Sequence, residues 1–412
     1  MHSKKNVLLL VIDAVGVSTL EYLLSRHNGA ISLPNLSRLG LKRALAQSAA
    51  SKISGADGGG FAAVLNQASA CADSVIGHRE MMGLIDDRTY KLFPDGFPPE
   101  FIARFEQTIG RKTIFNRMAG GMEAIELNAA EHEKTGFPIV YSSKCDPLIQ
   151  VAMNEAVIPV AEQHKITDTA FKIASRMGIQ VTRCIDRAYV RGAGGEIVRT
   201  ANRHDAVQPM EGKTLADIFY ASKVWTAAVG KTSELVNTAY REKIKLSEKE
   251  FLDPALELKF VHPGGKDTNP FTVQGIVNAL DEARNVYRPR GTFIFANAVD
   301  TDSLYGHSRD VEGGLAGIAE MDRMLPLFES RMNRGDLLMI TADHGMEHRR
   351  DYGYHHKEPL FLLAEEIGGE KIGDLPPLAK NTLAASGWLA ARIFGLEKEF
   401  VRECGLERFF PG

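Results

Sequence analysis

Residues 336–345 read Asp-Leu-Leu-Met-Ile-Thr-Ala-Asp-His-Gly, a short unbroken apolar run that stops on an aspartate and a histidine. Half-exposed strands alternate apolar and polar residues. An unbroken run is expected of a strand buried on both faces of a parallel sheet. Two further segments share the design. NVLLLVI at Asn6–Ile12 ends in Asp13, and TFIFANAV at 292–299 is followed by Asp300 and Asp302. In open α/β sheets ligands bind beyond the carboxyl ends of the strands. Three strands that each deliver an aspartate there therefore point to one shared site. Helical patterns lie between them, at 310–332, where Pro326 predicts a kink or break, and at 378–394. The alternation predicts an α/β core, a mostly parallel sheet flanked by helices.

The middle of the chain reads differently. It opens on the turn-rich Phe93-Pro-Asp-Gly-Phe-Pro-Pro and closes on Asn202-Arg-His-Asp205, with short strand patterns at 138–142 and 180–185. This predicts a smaller α+β cap at 92–205, inserted into a core formed by 1–91 and 206–412. The Gly/Ser-rich stretch at 51–60 reads as a surface loop, because it lacks the Gly-Lys-Ser/Thr ending of a phosphate-cradling loop.

A chain of 412 residues with net charge -3 has ample material for a large core and no basic excess. Nothing in that balance calls for nucleic acid or an anionic membrane as partner, while a small anionic substrate remains compatible with it. The four cysteines, Cys71, Cys145, Cys184 and Cys404, are scattered without a CxxC pair. That usage fits a reducing compartment. The first apolar run ends at Asp13, too short for a span and without a cleavage pattern, so the expected location is the cytoplasm.

Five motifs carry chemistry. Asp343-His344 at a strand end can offer an oxygen and a nitrogen to one divalent cation. Asp302 is followed five residues later by His307, with Gly306 between them, and Asp300 competes for the ligand role. His355 and His356 are adjacent, with His355 favoured. Asp13 ends the first strand. In Asp73-Ser-Val-Ile-Gly-His78, Ser74 is either a helix cap or a nucleophile activated by metal. Each motif alone is commonplace. Together, three Asp, three His and one Ser suit Mn²⁺, Mg²⁺ or Zn²⁺. Two such ions about 3.5–4 Å apart can hold the attacking and leaving oxygens of an in-line displacement at phosphorus.

These residues resemble the metal shell of the alkaline-phosphatase superfamily, and within it the phosphopentomutases. The similarity runs along nearly the whole chain. It includes Asp302-Ser-Leu-Tyr-Gly-His-Ser-Arg-Asp-Val-Glu-Gly313, Thr341-Ala-Asp-His-Gly345 and His355-His-Lys-Glu358. In the middle segment it includes Pro94-Asp-Gly-Phe-Pro98, Thr135-Gly-Phe-Pro-Ile-Val-Tyr141 and Arg199-Thr-Ala-Asn-Arg-His-Asp205, and further on Val229-Gly-Lys231. The resemblance implies an alkaline-phosphatase-like fold. It also implies one metal on Asp13, Ser74, Asp343 and His344, a second on Asp302, His307 and His355, and a phosphoryl group carried by Ser74. The implied ions are two divalent cations, Mn²⁺ first and Mg²⁺ or Zn²⁺ as alternatives. The implied reaction interconverts (deoxy)ribose 1-phosphate and 5-phosphate through a sugar bisphosphate, which also serves as activator. Asp146, Arg183, Arg203 and Lys231 are the side chains expected to grip the sugar phosphate. The family's Gly-Lys-Asp-Thr is Cys71-Ala-Asp-Ser74 here, and its Gly-His-Trp-Glu is Gly77-His-Arg-Glu80. Those departures keep open a metal-dependent phosphatase or phosphodiesterase on the same core, or a mutase for another sugar phosphate.

Overall fold

The structure is a computed structural model, and it describes residues 5–411 apart from 145, 201, 208–210, 349–352 and 370. Cys145 thus lies outside the described residues. The chain divides into two compact units, Met1–Asp87 with Met210–Gly412, and Arg88–Pro209.

The first unit is built on a seven-stranded sheet. Its order is Glu242–Ile244, Trp225–Val229, Thr292–Ala298, Asn6–Ile12, Leu337–Thr341, Leu360–Glu366, Phe61–Leu65. The first five strands run parallel, and Leu360–Glu366 is antiparallel to both its neighbours. The three apolar runs that define the fold are therefore adjacent. Asn6–Ile12 lies between Thr292–Ala298 and Leu337–Thr341, in a register that pairs Ile12 with Ala298 and Val11 with Thr341. Every residue of these three strands is buried, as unbroken apolar strands require. Helices Val17–Arg26, Asn269–Asn285, Val311–Glu329 and Ala384–Ile393 cover the sheet. No helix among the described residues is long and apolar enough to cross a membrane.

Two helix expectations need correction. Val311–Glu329 continues through Pro326, so the chain does not break there. Proline removes the N–H that would bond the carbonyl four residues earlier, and that carbonyl, Asp322 O, accepts from Asn35 Nδ2 at 2.9 Å. The freed acceptor is satisfied by a neighbouring side chain, so the helix survives. The segment expected to be helical over 378–394 is a 3₁₀ turn, Pro377–Asn381, followed by the helix Ala384–Ile393. The interruption is held by Glu80, whose buried carboxylate accepts from Thr382 Oγ1 and Leu383 N.

The second unit is a mixed sheet in the order Asp205–Val207, Arg183–Arg191, Leu148–Asn154, Ile139–Ser142, Ile114–Met118, with Ile197–Arg199 also paired to Arg183–Arg191. Helices Pro99–Ile109 and Val160–Arg176 bury Phe101, Phe105 and Phe171 with Val140, Ile149 and Val151. Helix Gly121–Thr135 packs Ile125 and Ala129 with Ile139, Tyr141 and Tyr189 in a separate cluster. The strand expected at 180–185 is Arg183–Arg191. Asp186-Arg187 hides its continuation in the sequence, since a buried strand rarely carries charge. Burial, then Glu155 and Asp205, push the Asp186 carboxyl up to about 8, far above the usual carboxylate range.

Candidate metal centre

Every predicted ligand of the first unit except Ser74, which opens a helix after Phe61–Leu65, comes from the carboxyl edge of the three adjacent strands or from the segments that follow them. Asp13 follows Ile12, and its neighbour Ala14 adopts φ 60°, a left-handed conformation that only special positions impose on alanine. That turn aims Ala14 N at Asp343 Oδ1, 3.1 Å away. After Thr292–Ala298 the chain enters a π-helical turn, Thr301–Gly306, in which His307 N bonds Asp302 O at 3.3 Å. A π turn stacks residues five apart. This is the physical content of the Asp-x4-His spacing, since it puts Asp302 and His307 on one face. His355 sits on the short strand Tyr354–His356, paired with Gly345–Glu347 directly after Asp343-His344.

The side chains meet. Asp302, His307 and His355 can each present one ligand atom within 4.8 Å of the other two, and so can Asp13, Asp302 and His344. His344 Nε2 is 3.3 Å from Asp13 Oδ1 and 3.6 Å from Asp343 Oδ2. His355 Nε2 is 3.1 Å from Asp302 Oδ1, and the His344 and His355 rings are 4.1 Å apart. Ser74 opens the helix Ser74–Met81, with its Oγ 3.1 Å from His344 Nε2 and 3.4 Å from Asp13 Oδ1. Asp73 caps that helix, its Oδ1 accepting from Val75 N at 2.8 Å.

The alternatives left by the sequence resolve as follows. Asp300 faces away from the cluster, because its carboxylate takes the backbone N–H groups of Thr268 and Asn269 at the start of helix Asn269–Asn285. His356 is exposed. Of the residues expected to hold sugar phosphate, Asp146, Arg183 and Arg203 belong to the second unit and Lys231 to the first. The guanidinium of Arg203 forks onto both oxygens of Asp205, at 2.6 Å each. Lys231 precedes the short helix Thr232–Leu235 and lines a cavity beside the cluster.

Two residues of the site were not singled out from sequence. Asn297 donates Nδ2 to Asp13 Oδ2 at 2.9 Å. The signal was available, as the one amide in the apolar run TFIFANAV. His78, fully buried one helical turn beyond Ser74, has Nδ1 at 2.8 Å from Ser74 O and 3.2 Å from Asp343 Oδ2. Arg79 is also buried, its Nε bonding Leu235 O at 3.2 Å.

The donor set fits divalent cations. Asp13, Asp343 and His344 are wholly buried, and Asp302 nearly so. Burial first, then Asp343 and Asp302, raise Asp13 to about 6. Burial also opposes ionisation of Asp343 and Asp302, but histidines outweigh it. His344 and then His78 hold Asp343 at about 2, while His307 and His355 hold Asp302 below the usual carboxylate range. Burial would depress His344, yet Asp343 above all lifts it to about 9. In the metal-free protein a proton on His344 thus compensates charge that a cation would neutralise better. The ring geometry is that of ligands. His344 Nδ1 lies 3.0 Å from Gly345 O and His307 Nδ1 lies 2.9 Å from Gly353 O. A backbone carbonyl on Nδ1 fixes the tautomer that leaves Nε2 to a metal.

Two predictions follow from this geometry. Metal uptake should release protons, because His344 must give its proton up below about pH 9 and Asp13 as well below about pH 6. Affinity should therefore fall continuously as pH drops from about 9 through about 6, which metal titrations in a pH series will measure. The second concerns Gly77, where an added Cβ would stand 2.2 Å from the carbonyl oxygen of Asp343. Gly77→Ala should push the Ser74 helix off the Asp343 strand end. The expected cost is about 1–3 kcal/mol of stability, read by denaturant unfolding, together with a loss of metal affinity.

Comparison with known proteins places these features in context. Residues 263–391 match the Metalloenzyme superfamily model. A phosphopentomutase of Kosmotoga olearia is 35% identical over 320 residues, 74% of this chain and 75% of that protein. A phosphopentomutase of Carboxydothermus hydrogenoformans is 31% identical over 413 residues, covering 95% and 96%. Among solved structures, the phosphoglycerate mutase of Leishmania mexicana aligns over 95% of each chain with a TM-score of 0.45 and 10% identity, too loose a likeness to argue from.

Proposed function

This chain belongs to the phosphopentomutase family, a mutase group within the metalloenzymes, and from that premise we propose that it interconverts the 1-phosphate and 5-phosphate of ribose or 2-deoxyribose. The observation that carries the proposal is the hydroxyl of Ser74. It lies at a helix N-terminus within 3.1 Å of His344 and 3.4 Å of Asp13. A phosphoryl group on that oxygen would face the first N–H groups of helix Ser74–Met81, which favour negative charge.

In the proposed cycle phospho-Ser74 meets the sugar monophosphate. The Oγ–P bond breaks as a bond forms from phosphorus to the free sugar hydroxyl, which gives a sugar bisphosphate and the free serine. The bisphosphate turns end for end. Ser74 Oγ then takes the other phosphoryl group, releasing the isomeric monophosphate and restoring phospho-Ser74. Asp13, Ser74, Asp343 and His344 would hold one cation and Asp302, His307 and His355 the other. We assign Mn²⁺, with Mg²⁺ or Zn²⁺ as the alternatives. When bound, the ions neutralise charge on the transferring oxygens. Asn297 orients Asp13 through its amide, and His78 braces Asp343. Asp146, Arg183 and Lys231 are proposed to grip the sugar phosphate, Arg203 joining them only by releasing Asp205. The unit Arg88–Pro209 would act as a cap that keeps water from the phosphoenzyme. A sugar bisphosphate primes Ser74, and the cytoplasm is the proposed location.

The test is an assay of ribose 5-phosphate with Mn²⁺ and a catalytic amount of sugar bisphosphate. Ribose 1-phosphate should accumulate to equilibrium with little free phosphate. Free phosphate without ribose 1-phosphate would replace the mutase reading by a phosphatase. Turnover only with other sugar phosphates would move the substrate, which the Ala72 and Arg79 departures beside Ser74 make the point to check.

A further inference from the structure

Beside the metal centre the core carries a cavity of about 380 Å³ at the carboxyl edge of Trp225–Val229, Glu242–Ile244 and Thr292–Ala298. Its composition is not that of the metal centre. Phe260 and Phe271 form one wall, their rings edge to face with centroids 5.8 Å apart. Lys249 and Lys266 line the cavity as well, and both are exposed. Lys249 Nζ stands 4.5 Å over the Phe260 ring, so the wall is aromatic and carries positive charge at its edge.

Two buried acceptors complete the cavity. Asp267 is 3% exposed. Its Oδ1 accepts three hydrogen bonds, from Val261 N at 3.0 Å, His262 N at 2.7 Å and Tyr305 OH at 3.1 Å. Its Oδ2 has no partner among the described residues. Asn297 is 1% exposed. Its Nδ2 is committed to Asp13, and its Oδ1 likewise has no partner among the described residues. Buried polar atoms are almost always satisfied. Asp267 and Asn297 both line the cavity and each leaves one buried acceptor over, which a ligand that brings donors would satisfy.

We propose that this cavity is a second small-molecule site, adjoining the metal-bound substrate at Lys231, which takes a phosphorylated sugar, free or carrying a base. Hydroxyl groups of the ligand donate to Asp267 Oδ2 and Asn297 Oδ1. A ring face lies on Phe260, and the phosphate meets Lys249 and Lys266. Asn297 joins the two sites physically, since the amide that would feel the second ligand also orients Asp13. The inference rests on the mutase reading only in the choice of the first-site ligand.

Isothermal titration of metal-loaded Ser74→Ala protein tests it, with ribose 5-phosphate and adenosine 5′-monophosphate as probes. Ribose 5-phosphate should bind with two equivalents, or with one while the nucleotide takes the other. Chelation should remove one equivalent only. Adding Phe260→Ala, or Lys249→Glu with Lys266→Glu, should weaken the metal-independent equivalent at least tenfold and leave the metal-dependent one unchanged. The two variants change exposed or half-buried side chains, so loss with both is not a folding failure. A nucleotide that competes for the metal-independent equivalent identifies the base-bearing source, and its failure to compete identifies the free sugar phosphate. A total of one equivalent over both probes, lost entirely on chelation, would overturn the second site, as would two equivalents untouched by either variant. If the metal-dependent equivalent is missing and the other remains, the mutase reading fails and this one stands.

Discussion

Replacing Ser74 by alanine should abolish phosphoryl transfer, with kcat falling on the order of 10⁴-fold or more, while the protein folds and binds metal. The magnitude follows from the role. A group that carries the transferred phosphoryl cannot be bypassed by binding or by electrostatics, and removal of a covalent nucleophile costs at least this much in well-studied enzymes. The structural cost is small by comparison. Ser74 Oγ makes one hydrogen bond to Asp13 and one to His344, and its backbone position at the start of the helix is held by the Asp73 cap. Loss of those contacts should cost about 1 kcal/mol each at most. Ser74→Thr is the informative companion, because it keeps a hydroxyl at the same branch point and should keep measurable isomerisation. Intact-mass analysis after incubation with a sugar bisphosphate should show one added phosphoryl group on the native chain and on Ser74→Thr, and none on Ser74→Ala. Wild-type turnover by Ser74→Ala would remove this serine from the mechanism.

The legibility of this site in the sequence has a physical basis. Strands buried on both faces are written as unbroken apolar runs, and three of them lead into aspartate, so a shared site at their carboxyl ends could be read, while the order that makes Asn6–Ile12 the neighbour of both Thr292–Ala298 and Leu337–Thr341 comes from the structure. The Asp302–His307 spacing was readable as a pattern but not as a π turn, because nothing local distinguishes i→i+5 bonding from an ordinary helical start. Residues that act through another side chain were harder. In the sequence Asn297 is an amide within an apolar run, and His78 is a histidine four residues beyond Ser74. Their meaning depends on Asp13 and Asp343, far away in sequence. The absence of a break at Pro326 is hidden for the same reason. Its effect on the helix is decided by Asn35, almost three hundred residues earlier, which supplies the donor to the stranded carbonyl. In the middle segment, Asp186 interrupts an apolar pattern, and the strand continues past it with the carboxyl raised by burial to about 8.

Asp13→Asn should move stability and activity in opposite directions, and the sign depends on metal. In the metal-free protein Asp13 is ionised at neutral pH against burial and against Asp343 and Asp302, which raise its pKa from 3.8 to about 6. A carboxyl whose folded pKa lies above its unfolded value destabilises the fold at any pH above both. The penalty is absent below about 4 and complete above about 6, and a shift of this size corresponds to roughly 3 kcal/mol. Asparagine keeps the shape, and its side-chain oxygen can still accept from Asn297 Nδ2, but it carries no charge. The chelated variant should therefore melt several degrees above the chelated native protein at pH 7.5, and that advantage should vanish near pH 4. With metal the order should reverse. The native chain gains about 4 kcal/mol when free metal is a thousand times its dissociation constant, whereas a neutral amide is a poor ligand and the variant gains far less. Activity should fall with metal affinity, by a factor on the order of 10²–10³ at saturating substrate, since Asp13 also stands 3.4 Å from the nucleophile. Thermal melts of both proteins with Mn²⁺ and with chelator make the comparison. If Asp13→Asn is the less stable of the two without metal, the carboxylate is held by its hydrogen bonds instead of strained by its neighbours, and the electrostatic account of why these residues need a cation fails.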